Sequence, residues 1–410
     1  MLQSLPPMHL SHLSLTNYRN FVRLETDLPL GSTILVGANA QGKTSLLEAI
    51  YYLAEASSPH ATSDRQLINF LAMEETIPFA RIVAEIHRGN RINRIEIRII
   101  LESVGIAGER RLKKEILVNG LKRRVGDLAG EFNAVMFLPQ EMRVIEGPPG
   151  ERRRHLDSVL SQADPVYAKA RSEFAKTLTQ RNALLKQIQE RNQGNDELIF
   201  WDERIADLGS TLIRTRATAL NELELLASDI HHQLTHNGEA LGLEYIPSYK
   251  PSSHPEGQLD LPINAPTDWK TLTRETLRKE LIESFHQSRR EEIARGVTLF
   301  GPHRDDFRFT GNGIDLRLYG SRGQNRTAML AIKLAEVEWM HERTGEWPVL
   351  LLDEVLAELD PLRRNDLLAH VGDVNQAVLT AADLTMFSDS FRGDSTIWRI
   401  EAGTITPMIS

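Results

Sequence analysis

The stretch that decides the fold is Gly37-Ala38-Asn39-Ala40-Gln41-Gly42-Lys43-Thr44, which fits G-x-x-x-x-G-K-[ST], the pattern of a phosphate-binding loop. Residues 32–36 before it are apolar and β-branched, and residues 44–53 after it have helical spacing without glycine or proline. In this order, backbone N–H groups and a helix N-terminus can face an anion. We therefore expect a nucleoside triphosphate site, with Lys43 on the β- and γ-phosphates and Thr44 on Mg²⁺. The alternative is a glycine-rich turn that binds nothing.

Composition limits the class of protein. The 410 residues carry 48 Lys and Arg against 56 Asp and Glu, a net charge of −8, and no cysteine. The length allows two or three domains, and the acidic balance leaves room only for a local basic path to nucleic acid. Disulfides and thiolate metal sites cannot form. No apolar run approaches a membrane span and the N-terminus does not read as a signal peptide, so we expect a soluble, cytoplasmic protein with no membrane partner.

The first 130 residues have the pattern of an antiparallel sheet beside the loop. Residues 81–87 and 94–100 alternate between polar and apolar positions, which is typical of strands with one solvated face. Asn119-Gly120 between two further apolar stretches suits a type I′ hairpin turn. We therefore expect residues 1–130 to form an antiparallel β subdomain beside the P-loop core; together with the motifs described below, they would be the N-terminal half of an ATPase head.

The middle of the chain is helical. Apolar residues recur at three- and four-residue steps from 156 to 188 and from 205 to 234, with a polar turn at 192–195 between them. This pattern predicts a helical arm, inserted as residues 131–295. Periodicity cannot show that the helices project, so two helices of an ordinary bundle remain the alternative. Residues 245–269 contain five prolines and are expected to be irregular.

The last segment, residues 296–410, contains a second candidate for phosphate chemistry. Residues 349–352 are apolar and end in Asp353 and Glu354. A buried strand that stops in Asp beside a P-loop strand supplies a second Mg²⁺ contact, and Glu354 can polarise the attacking water. The alternative is a strand end with solvated carboxylates. Asp353 lies 310 positions after Lys43 (353 − 43), which predicts one ATPase core split by a large insert.

The split core and Ala357-Glu358-Leu359-Asp360 resemble the ATP-binding-cassette ATPases of the SMC class. Residues 319–327 before an apolar helix are similar to their signature motif, with Ser321, Gly323 and Gln324 matching its serine, second glycine and glutamine. A hydroxyl and a backbone N–H at a helix N-terminus can hold a phosphate. The resemblance implies that this phosphate belongs to ATP bound on a second copy. Alternatively, Ser321 only caps the helix.

Further segments narrow the resemblance to the RecF family. These segments are residues 15–21, 147–157, 301–306, 321–327 and 353–360. The resemblance implies an α/β fold, an ABC-type ATPase head (a mixed sheet with a P-loop core plus an antiparallel β platform) with an inserted α-helical arm domain. It implies a weak, DNA-stimulated ATPase whose ATP-dependent homodimer clamps double-stranded DNA, preferring single-strand/double-strand junctions or gaps. Such a protein works with RecR and RecO to load RecA in repair, recombination, the SOS response and replication restart.

The same resemblance implies roles for individual residues. Lys43 and Glu354 are the expected catalytic residues, and Thr44 and Asp353 the expected Mg²⁺ ligands. The expected ATP contacts are Arg19, Gly37, Ala38, Asn39, Ala40, Gln41, Gly42, Lys43, Thr44, Ser45, Ser321, Gly323 and Gln324. The switch histidine of cassette ATPases is replaced by Ala381, so Thr380 or nothing takes that role.

Two basic clusters are candidates for DNA contact. Residues 109–124 carry seven positive and two negative side chains, a local charge of +5 (7 − 2). Such a patch binds phosphates without reading sequence. The positive residues are Arg110, Arg111, Lys113, Lys114, Lys122, Arg123 and Arg124. Residues 152–154 form the second cluster. A solvated hairpin and a structural arginine network touching Asp157 are the respective alternatives. Rival classes for the whole chain are a transporter ATPase subunit, a defence ATPase and a binding module with a vestigial ATP site.

Overall fold

The computed structural model describes residues 7–104, 109–191, 196–236, 238–249, 269 and 272–408. The chain divides into two compact units, residues 1–141 with 333–410 and residues 142–332. The second boundary differs from the predicted one at 295/296. Residues 306–311 pair with residues 241–246 in one small sheet, which binds the segment after residue 296 to the helical unit.

The first unit contains two sheets. In chain order its strands are β1 His9–Tyr18, β2 Phe21–Asp27, β3 Gly31–Val36, β4 Phe79–Arg88, β5 Arg91–Val104, β6 Glu109–Val118, β7 Leu121–Arg123 and β8 Ala134–Phe137. The strands of the second unit are β9 Leu241–Ile246, β10 Asp306–Gly311 and β11 Ile314–Asp315. The remaining strands of the first unit follow them in the chain and are β12 Val349–Asp353, β13 Gln376–Ala381, β14 Thr396–Glu401 and β15 Thr404–Pro407.

The helices are distributed between both units. They are α1 Lys43–Glu55, α2 Met142–Glu146, α3 Pro149–Ala163, α4 Pro165–Arg191, α5 Glu197–Leu234, α6 Arg274–Arg295, α7 Leu316–Tyr319, α8 Arg322–Thr344, α9 Pro361–Asp373 and α10 Asp389–Gly393. The boundary between the units falls within α8. Over the part of the chain that is described, no helix is both long and apolar enough to cross a membrane.

The core sheet has the strand order β15-β14-β3-β13-β12-β8, and all of its strands except β15 run parallel. Helix α1 packs on β8, β12 and β13, and α9 packs on β3. The central strands are almost continuously apolar, as is usual for the buried strands of a parallel sheet. Leu350, Leu351 and Leu352 of β12 are fully or almost fully buried. Strand β13 lies between the P-loop strand β3 and β12, so β12 is not the direct neighbour that the sequence led us to expect.

The second sheet of this unit is the predicted antiparallel platform, in the order β2-β1-β4-β5-β6-β7. Its strands alternate as expected: Ile95, Ile97 and Ile99 point into the core, while Glu96 and Arg98 form an ion pair. The hairpin turn is also confirmed. Asn119 and Gly120 have φ angles of 51° and 78°, which a type I′ turn requires.

The second unit is a helical bundle with a small sheet. Helix α5 packs against both α4 and α6, so the predicted helix pair has a third member. The predicted first helix is divided at Asp164-Pro165 into α3 and α4, since the proline starts a new helix. The β9–β10–β11 sheet was not predicted, because Tyr245 and Ile246, assigned to the irregular insert, end β9. The predicted polar turn at 192–195 and residues 250–268 of the insert lie outside the described residues.

A buried ion network holds the bundle together. Arg181 is 1% exposed and donates to Asp202 (Nε to Oδ1, 2.9 Å) and Glu292 (Nη2 to Oε2, 2.6 Å). Its guanidinium also lies 4.6 Å from the centre of the Phe285 ring. Asp202 accepts a further hydrogen bond from Arg289. Because each buried charge has an opposite charge as its partner, the network fixes α4, α5 and α6 in one arrangement.

Candidate nucleotide-binding site

The carboxyl ends of three core strands meet at one edge of the sheet. In the strand registers, Ala381 of β13 is paired with Val36 of β3, and Thr380 with Asp353 of β12. The P-loop therefore leaves β3 beside the end of β12, although β13 separates the two strands. Ligands of open parallel sheets bind outside the carboxyl ends of the strands. This edge is where the sequence-predicted phosphate and metal residues converge.

The P-loop backbone needs glycine at two positions. Gly42 has a φ of 117°, and a Cβ there would lie 2.5 Å from Asn20 Nδ2. At Gly37 a Cβ would lie 2.4 Å from the carbonyl oxygen of Ile400. Helix α1 begins immediately after Gly42, so its first N–H groups open onto the loop. Ala38, Asn39 and Ala40 are exposed, as residues must be if their backbone is to wrap a phosphate.

Lys43 is held inside the loop. Its side chain is 4% exposed, and Nζ donates to the carbonyl oxygens of Gly37 (2.5 Å) and Ala38 (3.2 Å). Nζ also lies 2.9 Å from Oε1 of Glu354. The three donors of the ammonium group thus have three internal acceptors, one of them charged. The two residues predicted to be catalytic are in direct contact.

Thr44 and Asp353 form the candidate metal site. Thr44 Oγ1 donates to Asp353 Oδ1 over 3.1 Å. Both are hard oxygen ligands, and about 3 Å is the separation of adjacent oxygens around an octahedral Mg²⁺ with bonds of about 2.1 Å. The residues present therefore fit the ion that the sequence predicts.

Thr380 links the Asp353 carboxylate to the backbone of Glu354. Its Oγ1 donates to Asp353 Oδ1 (2.8 Å) and accepts a hydrogen bond from the backbone N–H of Glu354 (2.9 Å). Glu354 has a φ of 53°, a left-handed conformation that non-glycine residues rarely adopt without support. Thr380 is buried, so its hydroxyl has its partners within the protein, at Asp353 and the Glu354 backbone. Sequence reasoning considered Thr380 only as a replacement for a histidine and missed this role.

Arg19 lies beside the loop and is anchored to α1. Its guanidinium donates to both oxygens of Glu48 (2.7 and 2.6 Å), a residue that is almost fully buried. The hydrogen bond to Glu48 raises the pKa of Arg19. Burial, together with the Glu48 charge, holds the pKa of Tyr18 well above its usual value. The structure thus places Arg19 near the predicted site with its head group engaged by Glu48.

An open cavity of about 700 Å³ adjoins these residues. It is lined by Lys43, Thr44 and Glu354 at the phosphate loop and by Arg19 on the platform. Its remaining lining residues are Asn20, Val22, Asn39, Ala40, Gly42, Ser45, Gln66, Ile68, Asn69, Phe70 and Leu71. The volume is in the range of cavities that take a nucleotide-sized ligand. Gln41 instead ties the loop to the β14–β15 turn, where its Oε1 accepts the N–H of Ala402 (2.7 Å).

The signature residues belong to the second unit. Ser321 Oγ accepts the N–H of Gln324 (3.2 Å), and Gln324 Oε1 accepts the N–H of Ser321 (2.9 Å), which is a capping box at the start of α8. Gln324 Nε2 donates to Glu239 (2.8 Å). Ser321 and Gly323 are exposed. The cap that the sequence offered as an alternative is therefore present, on a helix N-terminus open to solvent.

The seven basic candidates of residues 109–124 do not share one face. Arg111 and Lys113 are exposed on β6, whereas Lys114, on the opposite face, pairs with Asp64 (2.7 Å). Lys113 pairs with Glu102 (2.7 Å), and the hydrogen bonds that its ammonium donates to Glu102 and Glu115 raise the pKa of Lys113. Counting Asp64 and Glu102 lowers the local charge from +5 to +3 (5 − 2). Arg110, Lys122, Arg123 and Arg124 are exposed.

The first arginine of the second basic cluster, residues 152–154, forms its contacts inside the protein. Arg152 is buried and donates to both oxygens of Asp306 (2.7 and 2.9 Å). Arg153 donates to the carbonyl of Asp305 (2.5 Å). Asp157, which these arginines were expected to touch, instead accepts hydrogen bonds from Arg216 (Nη2 to Oδ1, 2.7 Å) and Tyr167 (2.5 Å). Of the two interpretations of residues 152–154, the arginine network is the one that the contacts of Arg152 and Arg153 favour.

Comparison with known proteins agrees with this geometry. The family model of the RecF/RecN/SMC N terminal domain matches residues 9–401. The DNA replication and repair protein RecF of Chloroflexus aurantiacus is 38% identical over 408 residues, covering 97% of this chain and 99% of that protein. RecF of Shouchella clausii is 36% identical over 395 residues, covering 96% and 98%.

Solved structures give the same answer for the fold. The recombination mediator protein RecF-ATPrS in the RecFOR pathway superposes with a TM-score of 0.81 at 30% identity, over 99% of this chain and 100% of that chain. The Smc head domain of Pyrococcus furiosus has a TM-score of 0.50 at 14% identity and shows the fold alone, over 98% and 96%. The predicted ABC-type, SMC-like ATPase head is confirmed. The chain belongs to the RecF family.

Proposed function

We propose that this chain is an ATPase of DNA replication and repair that binds ATP with Mg²⁺ at the P-loop. The observation that carries the proposal is the convergence of Lys43, Thr44, Asp353 and Glu354 at one edge of the core sheet. Solved structures of RecF with ATP and with ATPrS support a triphosphate as the ligand.

The contacts of Lys43 suggest how the site works. The triphosphate replaces Glu354 as the anionic partner of the Lys43 ammonium, while the N–H groups at the start of α1 take further phosphate oxygens. Glu354 is then released next to the γ-phosphate, where its carboxylate can accept a proton from the attacking water. Thr44 and Asp353 would hold Mg²⁺, which supplies charge neutralisation on the phosphates.

The second half of the site comes from another copy in this proposal. Ser321 and Gly323 are exposed at the N-terminus of α8, where a hydroxyl and backbone N–H groups can take a phosphate. Gln324 braces this turn through its bonds to Ser321 and Glu239. Two copies would thus enclose two ATP molecules, and hydrolysis would release the dimer.

A pair of substitutions that differ by one charge tests the dimer. Ser321→Asp keeps a good N-cap for α8 but places a carboxylate where we expect a phosphate, whereas Ser321→Asn keeps the cap without the charge. With ATP and Mg²⁺, we expect Ser321→Asp to stay monomeric in analytical ultracentrifugation and Ser321→Asn to retain more dimer. Equal dimerisation of the two variants would refute the assignment of Ser321.

DNA is the second ligand in this proposal. The exposed basic residues of β6 and β7 would bind the phosphate backbone of duplex DNA, with a preference for gaps and single-strand/double-strand junctions. We expect Arg111→Gln with Lys122→Gln to lower the slope of log affinity against log salt by up to about 2. Arg295→Gln with Arg278→Gln, two exposed or half-exposed arginines on α6, is the control for net charge. An unchanged slope for the Arg111→Gln, Lys122→Gln variant would show that DNA binds at another surface.

The cellular role follows the family. We propose action in the cytoplasm with RecO and RecR, aiding the loading of RecA on gapped DNA, and a weak ATPase that DNA stimulates. The RecFOR pathway in the names of the solved relatives supports these partners. Hydrolysis measured with and without gapped DNA separates this role from that of a transporter subunit or a vestigial site. A hydrolysis rate that is the same with and without DNA would contradict the proposed DNA clamp. The absence of hydrolysis would contradict the proposed ATPase activity.

A further inference from the structure

Three large apolar side chains are exposed in the cavity beside the P-loop. Val22, Phe70 and Leu71 all line it, and Phe70 is 76% exposed, the most of the three. Single exposed apolar residues are common on protein surfaces and need no explanation. Here three of them share one cavity with the phosphate residues Lys43 and Thr44. This combination indicates an apolar ligand surface next to an anion site.

The backbone holds Phe70 rigidly although its side chain is exposed. The N–H of Asn69 donates to the carbonyl of Asn17 (2.8 Å), and Asn69 Nδ2 donates to the carbonyl of Arg19 (2.6 Å). Asn69 Oδ1 accepts the N–H of Leu71 (2.9 Å). Ile68 is buried on one side of the segment. Phe70 is therefore presented at a fixed place and is not the tip of a loose loop.

The same short segment fixes the P-loop. Asn20 follows Arg19 directly, and its Nδ2 donates to the carbonyl of Gln41 (3.0 Å). Gly42 packs against the same amide. Residues 17–20 thus connect the loop that takes phosphates with the segment that presents Phe70. A ligand with a phosphate end and a flat apolar end would contact both.

We propose that Phe70 is the stacking platform for the base of the bound nucleotide, with Val22 and Leu71 as apolar neighbours. This inference rests on the proposed ATP site and adds the position of the base, which the P-loop alone does not fix. An aromatic ring offers its face to any base, so it contributes affinity with little selection among bases. Gln66 and Asn69 line the same cavity and offer amide groups to the edge of the base.

The test compares a ligand that has a base with one that lacks it. Binding of ATP and of inorganic tripolyphosphate is measured by calorimetry in the Ser321→Asp background, where the proposed dimer does not form. We expect Phe70→Ala to weaken ATP binding by about 5- to 150-fold, the effect of removing one aromatic platform, and to leave tripolyphosphate binding unchanged. Phe70→Trp should retain ATP binding. Phe200→Ala, which removes another exposed phenylalanine (64% exposed), is the control.

The outcomes separate this inference from the function on which it rests. If Phe70→Ala changes neither ligand's affinity, or weakens both equally, the base subsite is wrong while the phosphate site stands. If Phe70→Ala reduces only ATP-dependent dimerisation in the chain with Ser321, Phe70 is a contact between copies, and the base subsite is again wrong. If the unsubstituted chain binds neither ligand, the proposed function is wrong and the subsite fails with it.

Discussion

Replacing Glu354 by glutamine should make the protein bind ATP more tightly while it hydrolyses ATP more slowly. Glu354 Oε1 lies 2.9 Å from Lys43 Nζ, in a pair whose members are 38% and 4% exposed. Exposed ion pairs contribute up to about 1 kcal/mol, and breaking buried ones costs about 3–5 kcal/mol. For this half-exposed pair we take about 1–2 kcal/mol. In the proposed mechanism ATP displaces Glu354 from Lys43, so removing the pair should return that free energy to ATP binding.

The expected gain in affinity is about 5- to 30-fold, since about 1.4 kcal/mol is a factor of ten. The hydrolysis rate should fall by about 10²- to 10⁴-fold, the usual contribution of a general base. Affinity is measured by calorimetry with ATP and Mg²⁺ in the Ser321→Asp background, and single-turnover hydrolysis with Ser321 present. Glu203→Gln, at an exposed position of α5, gives the same change in net charge as a control.

Two results would refute this reasoning. An affinity equal to or below that of the chain with Glu354 would show that the carboxylate does not compete with phosphate for Lys43. An unchanged hydrolysis rate would show that Glu354 is not the group that activates water. Both outcomes can be seen separately, because binding and chemistry are measured in different assays.

Three further outcomes test the loop, the bundle and the buried imidazole. Gly42→Ala should lower ATP affinity by about 5- to 100-fold without unfolding, because of its φ of 117° and the clash with Asn20; unchanged affinity would contradict it. Arg181→Met should lower the free energy of unfolding in urea by about 3–5 kcal/mol, since Glu292 loses its buried partner. Burial lowers the pKa of His303 from 6.5 to about 4. The stability that the neutral His303 side chain contributes to the folded state is therefore fully present above pH 6.5 and is lost as the pH falls toward 4. From pH 7 to 5 the chain should lose about 2 kcal/mol more stability than His303→Gln, and parallel curves would refute this.

Local patterns in the sequence predicted the parts of the site that depend on neighbouring residues. The P-loop, the apolar strand that ends in Asp353 and the Asn119-Gly120 turn each carry their signal within about ten residues. The type of each element therefore followed from the spacing of apolar residues and from glycine conformation.

What the sequence could not show depends on pairings between distant residues. Strand β13 lies between β3 and β12, and Thr380 bonds to Asp353 only because these strands are in register. The partner of Arg19 is Glu48 across the α1 helix, which no spacing rule selects among the many glutamates. Strand β9 was hidden because its end overlaps a proline-rich segment. In each case the missing information is the three-dimensional register.

A motif that is specific to a protein family does not have to contact a ligand. The segment 301–306 is among the most specific points of resemblance to the RecF family, yet its two aspartates, Asp305 and Asp306, bond to other groups of the second unit. Asp305 accepts hydrogen bonds from the Tyr245 hydroxyl (2.5 Å) and from the N–H of Ser248 (2.7 Å), and Asp306 pairs with buried Arg152. Losing one member of such a buried network leaves another charge or dipole unpaired, which costs several times more than a surface contact. Asp305 and Asp306 are therefore constrained by folding, whereas the Phe70 side chain is exposed, so we expect an effect of Phe70→Ala on ATP affinity in the Ser321→Asp background to come from lost contact with the base.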